Sequence, residues 1–158
     1  MSELYPDAVQ TIPYDMPDPM GNPVNVICFV DANHAGNKIT RCSHTGIIFF
    51  VNSAPITWVS KRQNTVESST FGSEIIALKQ ASDMIESMLY KIRMFGISID
   101  GEVRVLCDNK SVVRVGSNSD ARLTKMHNSI AFHRVRECVA ARMTLVYHEK
   151  GTATWQIF

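Results

Sequence analysis

Val24-Asn25-Val26-Ile27-Cys28-Phe29-Val30-Asp31 is an apolar run that ends on a carboxylate. It is apolar at nearly every position, which predicts a central strand rather than an edge one. A carboxylate set directly after such a strand is costly to bury unless it is paired or holds a cation. A second run, Val103-Arg104-Val105-Leu106-Cys107-Asp108, ends in the same way. Between them, Phe71-Gly72-Ser73-Glu74-Ile75-Ile76-Ala77-Leu78 opens a long amphipathic stretch that carries a third acid.

Working outward from the first run, residues 32–37 read as a loop and 45–51 as a strand rich in β-formers. A turn at 52–53 leads to a third strand at 55–60, so the second and third strands make an antiparallel hairpin. Residues 61–69 are polar and loop-like. A helix follows over about 70–95, with Ala77, Leu78, Ala81, Ile85, Met88, Leu89 and Ile92 at helical spacing and Gly96 as its stop. Residues 102–107 form the fourth strand, and the intervening helix lets it run parallel to the first. Residues 108–115 and 125–141 are predicted helices, and 142–147 the fifth strand. The order β-β-β-α-β-α-α-β predicts an α/β fold: a mixed five-stranded sheet with helices packed on its faces.

The first 23 residues hold Pro6, Pro13, Pro17, Pro19 and Pro23, which resist helix and sheet interiors alike. They read as an acidic arm or linker (residues 1–23) ahead of a folded domain (24–158). Residues 1–37 carry five acids and no Lys or Arg, whereas 38–158 carry all 16 basic residues against 10 acidic ones. A basic body suits a polyanionic partner, and an ordinary solvated surface has the same composition. No apolar run approaches the ~20 residues of a membrane span, and no secretory leader is visible, so an intracellular protein is expected. Cys28, Cys42, Cys107 and Cys138 form no CxxC pair and read as reduced core thiols.

If the first and fourth strands are parallel neighbours, Asp31 and Asp108 converge at the carboxyl edge of the sheet, where open α/β sheets place their ligands. Glu74 shares a helix face with positions 77, 78, 81 and 85, so it can point at the same place. Each acid also has a local reading: Asp31 as a turn residue, Glu74 as a capping Glu near Ser68, Ser69 and Thr70, Asp108 as a helix N-cap. Three hard oxygen ligands suit Mg²⁺ or Mn²⁺ better than zinc. Phosphodiester hydrolysis by a two-metal route needs one ion to activate water and another at the leaving oxygen.

At this point the chain resembles the ribonuclease H domain of Ty1/copia-type retrotransposon polyproteins. The resemblance rests on Phe29-Val30-Asp31-Ala32-Asn33-His34-Ala35-Gly36, on Arg41-Cys42-Ser43-His44-Thr45-Gly46, on Ala54-Pro55-Ile56-Thr57-Trp58, on residues 60–70 with Ser73-Glu74, on Cys107-Asp108-Asn109-Lys110-Ser111-Val112, and on residues 125–137. It implies an RNase H-like fold that cuts the RNA strand of RNA–DNA hybrids, with Asp31, Glu74 and Asp108 as catalytic and metal-binding residues, two Mg²⁺ (or Mn²⁺) ions, and a reverse transcriptase in the same polyprotein. The family carries a fourth carboxylate in an Ala-Asp pair that opens a final helix. Here that stretch is Gly151-Thr152-Ala153-Thr154-Trp155-Gln156-Ile157-Phe158, with Ile157 or Gln156 at the acid's place, so the final helix is expected to be missing. The loss motivates an alternative of another class, a non-catalytic nucleic-acid-binding or assembly module that self-associates through an uncovered C-terminal face. An integrase or junction resolvase on the same fold is a third reading.

Lys61, Arg62 and Gln63 are predicted to touch nucleic acid from the loop before the long helix; a solvated loop is the plain alternative. Asn109 and Ser111 are predicted to touch the substrate backbone, with helix capping as their plain role. His127 is predicted to meet a phosphate beside Arg122 and Lys125, and His34 to reach the site's edge. Phe49, Phe50 and Trp58 read as core.

Overall fold

The computed structural model describes residues 1–123 and 126–150. In chain order the elements are β1 (Met20–Val24), β2 (Val26–Asn33), β3 (His44–Val51), β4 (Ala54–Arg62), α1 (Thr70–Met94), β5 (Ile97–Ile99), β6 (Val103–Cys107), α2 (Lys110–Ser117), a 3₁₀ turn (Met126–Asn128), α3 (Ser129–Ala140) and β7 (Thr144–His148). Five strands form the expected mixed sheet in the order β4-β3-β2-β6-β7. β2–β3 and β3–β4 are antiparallel, while β2–β6 and β6–β7 are parallel.

The core lies between this sheet and the helices. Val26, Cys28 and Val30 of β2 and Val103, Val105 and Cys107 of β6 point at Ile75, Leu78, Ile85, Val112 and Val135. The long amphipathic α1 starts cleanly because Ser69 caps it, its hydroxyl accepting from the Gly72 N–H. It ends at Gly96, whose φ of +67° is the left-handed value that glycine takes without strain.

Several expectations change. Among the described residues the helices cover one sheet face, so the other carries a row across all five strands, Trp58-Ile48-Phe29-Leu106-Tyr147 in register. Trp58 was expected in the core but is 68% exposed, because β4 is an edge strand and its side chain stands on the helix-free face. Lys61 and Arg62 are not in a loop: they end β4, paired with Thr45 and His44. The expected helix starts move inward, to Lys110 because Asn109 takes the cap, and to Ser129 because a 3₁₀ turn precedes it. The proline-rich arm packs back on the body. β1 at its end pairs in parallel with β5 in a small two-stranded sheet, so the boundary drawn at residue 23 falls within a strand. Pro23 is tolerated there because a two-stranded sheet is all edge. All four cysteines are free; Cys28, Cys107 and Cys138 are buried as core thiols, whereas Cys42 is only half-buried and lies outside the core.

Candidate metal centre and nucleic-acid interface

β2 and β6 are adjacent and parallel, with Val30 paired to Cys107. Asp31 and Asp108 therefore sit one residue beyond that pair, side by side at the carboxyl edge. Glu74 is 5% exposed and lies one turn into α1 on its buried face. The caps that offered rival readings are filled by other residues: Ser69 on α1, and Asn109 on α2, where its Oδ1 accepts from the Ser111 and Val112 N–H groups.

Electrostatics show that the acids share one space. Burial, then the charges of Asp31 and Asp108, push the Glu74 carboxyl up to about 8, against a smaller opposing effect of the Ala32 N–H. Burial and then Asp108 raise Asp31 as well. Like charges in a low-dielectric pocket hold one another protonated unless a cation intervenes. The sequence reading missed one member of the cluster. Cys107 is fully buried, its thiol lies 4.0 Å from Glu74 Oε2, and the ligand atoms of Glu74, Cys107 and Asp108 all fall within 4.8 Å of one another. Burial, then Glu74, holds that thiol up at about 12, so it stays a neutral thiol facing the Glu74 carboxyl. A strand-end cysteine looks like core in the sequence, and only the parallel register shows that it faces the acids. An uncompensated set of hard oxygen donors of this kind fits a divalent cation.

Residues around the acids complete the edge. His34 Nδ1 lies 3.4 Å from Ser73 Oγ, beside Glu74, so it reaches the site's rim. Glu149, just past the end of β7, donates its N–H to the Cys107 carbonyl at 3.0 Å, which sets it beside Asp108. His148 Nε2 lies 3.1 Å from the Asp108 carbonyl oxygen. Gln63 is corrected as a nucleic-acid contact. It is 1% exposed, and its amide donates to Thr45 Oγ1 and to the Ser73 carbonyl, so it ties the end of β4 to the first turn of α1. Lys61, Arg62 and Ser111 remain exposed. His127 lies 3.1 Å from the carboxylate of buried Glu67, which itself rests against Gly72. Lys125, expected beside His127, and residues 151–158, where the fourth acid was sought, lie outside the described residues.

A mixed sheet in this order, with acids at the ends of two parallel strands and on the first helix, is a ribonuclease H-like fold. LC11-RNase H1, solved in complex with an RNA/DNA hybrid, shares it with a TM-score of 0.62 at 16% identity, over 81% of this chain and 87% of that one. In sequence the chain resembles copia-type retrotransposon polyproteins. It is 30% identical over 111 residues, 70% of its length, to the retrovirus-related Pol polyprotein from transposon TNT 1-94 of Nicotiana tabacum. It is 26% identical over 128 residues, 81% of its length, to that from transposon RE1 of Arabidopsis thaliana. The chain spans 8% and 9% of these two polyproteins. No protein-family model matches it.

Proposed function

We propose that this chain is a divalent-metal nuclease that hydrolyses the RNA strand of RNA–DNA hybrids within a retrotransposon polyprotein that also carries a reverse transcriptase. The observation that carries the reading is the convergence of Asp31, Glu74 and Asp108, where burial first and then the two aspartates push the Glu74 carboxyl up to about 8. Asp31, Glu74 and Asp108 would hold two Mg²⁺ or Mn²⁺ ions. Bound there, such ions supply an activated water and neutralise charge at the scissile phosphate. The chain's own part is to fix the acids on rigid elements, with Ser73, Gln63 and Ala32 holding the first turn of α1 against β2 and β4. Lys61, Arg62, Asn109, Ser111 and His127 would meet the backbone and 2′-hydroxyls of the hybrid. Asp31→Asn should cut EDTA-sensitive cleavage of a labelled hybrid by more than about 100-fold, the upper end of what losing an outer-sphere partner costs a metal site. Turnover equal to the wild type would sink the assignment.

Among the described residues no helix covers the row headed by exposed Trp58, which favours a second reading, an assembly module that self-associates through that face. Sedimentation of the wild type and of Trp58→Ser separates the two: a monomer that cleaves hybrid removes the second.

A further inference from the structure

Helix α2 carries more than the acid edge requires. Val112, Val115 and Gly116 face the core, and Gly116 lets the helix lie directly on β7: a Cβ there would meet Val146 Cγ2 at 2.8 Å. The outward face presents Lys110, Ser111, Arg114 and Ser117, with no acid anywhere in the helix. Two concavities flank that face and share Arg114. One, of about 560 Å³, lies between Ser111, Arg114, Phe71 and Arg122. The other, of about 520 Å³, lies between Lys110, Arg114, Asn118 and His148. Among the described residues, Lys110, Arg114 and Arg122 make no ion pair. Asp120 is the single acid lining either hollow.

We infer that the outward face of α2 is a second nucleic-acid subsite, a groove in which Lys110, Arg114 and Arg122 grip the phosphates of a strand running on from the acid edge. The placement supports this, because α2 starts two residues beyond Asp108. The chemistry supports it as well. Both hollows are open to solvent with cations at their rims, and unpaired cations one helical turn apart fit a repeating anion better than a compact metabolite. Lys110 and Arg114 are separated by about 6 Å along the helix axis, which is the rise of about two phosphates of one strand. Arginine adds a two-pronged donor that matches a phosphate. The inference rests on the nuclease reading for which strand is held, and on α2 itself for the grip.

The test is hybrid binding by the whole chain in EDTA, where nothing is cut, followed by fluorescence anisotropy across a salt series. Lys110→Gln with Arg114→Gln should weaken binding about tenfold and flatten the slope of log affinity against log salt by about two, one for each cation removed. Lys91→Gln, at the far end of α1, should change neither. An unaltered affinity and slope in the double variant would overturn the inference, as would a wild type that binds no hybrid. Binding of a polyglutamate peptide at this face in preference to hybrid would overturn it in favour of an acidic protein partner. If the double variant loses binding while the wild type cuts nothing, the nuclease reading fails and the groove stands. If the wild type cuts hybrid and the double variant binds it normally, the groove fails alone.

Discussion

Glu74 is held protonated at neutral pH by its own burial and by the two aspartates beside it, with its carboxyl up at about 8. Its folded value is raised above the unfolded one. Its stabilising contribution is thus complete below about 4.5, the value of a free Glu, and is lost as pH rises through about 8. Asp31 is shifted in the same direction and adds to the effect. The metal-free protein should therefore lose Tm between pH 5 and 9. At about 1.4 kcal/mol per unit of displacement, the loss is on the order of 10 °C for a domain of this size. Glu74→Gln should flatten that profile and melt higher than the wild type at pH 8.5, as thermal scans in EDTA would show. A wild-type profile that is flat across this range contradicts the buried-acid account. At this scale the three acids were legible because each stood where an apolar pattern made a charge conspicuous. Cys107 and Gln63 were not. A thiol after a strand looks like core, and a polar residue after a strand looks like loop, until pairing shows what each one faces.

Elements were legible to the extent that their patterns were long. The 25 residues of α1 and its Gly96 stop came through almost unchanged, since a sustained apolar stripe and a left-handed cap leave little freedom. β5 has three residues, too few for any periodicity, and β1 includes a proline, so their small sheet was invisible. Trp58 was misplaced because aromatic content signals burial only when the strand's two faces are both covered. Gly116 shows how narrowly α2 is set. In an exposed helix Gly→Ala gains about 1 kcal/mol. Here the added methyl would press on Val146, a stiff β-branched side chain that is 8% exposed. Overpacking of this kind costs about 1–3 kcal/mol, so Gly116→Ala should lower the urea midpoint instead of raising it. A raised midpoint would mean that α2 moves away from β7 at little cost, and the groove along its outer face would then lack a fixed wall.

Across the whole molecule, the arm and the basic groove are joined through one side chain. Arg136 of α3 is 5% exposed, and its guanidinium stacks between the rings of Tyr5 and Phe132. It donates to the carbonyls of Ser119 and Ala121 and to Met1 Sδ. Tyr5 is fixed in turn by its hydroxyl, 2.6 Å from His133 Nδ1. The arm thus covers the charge that braces residues 119–121, and those residues lead directly to Arg122 on the groove's rim. Composition alone divided an acidic, proline-rich arm from a basic body, yet those same residues form a lid over Arg136. The division failed because proline excludes an arm from helix and sheet interiors without keeping it off a surface. Deleting residues 1–9 should uncover the guanidinium and remove the cation–π contact, worth about 1–2 kcal/mol when desolvated. The loosening should be local. Amide hydrogens of residues 119–123 should exchange faster, while those of β2 and β6 keep their protection. Hybrid affinity should fall with the salt slope intact, since no groove cation has been removed. Unchanged exchange at 119–123 would show that Arg136 braces the segment without the arm, and faster exchange throughout the sheet would make the arm part of the core's global stability.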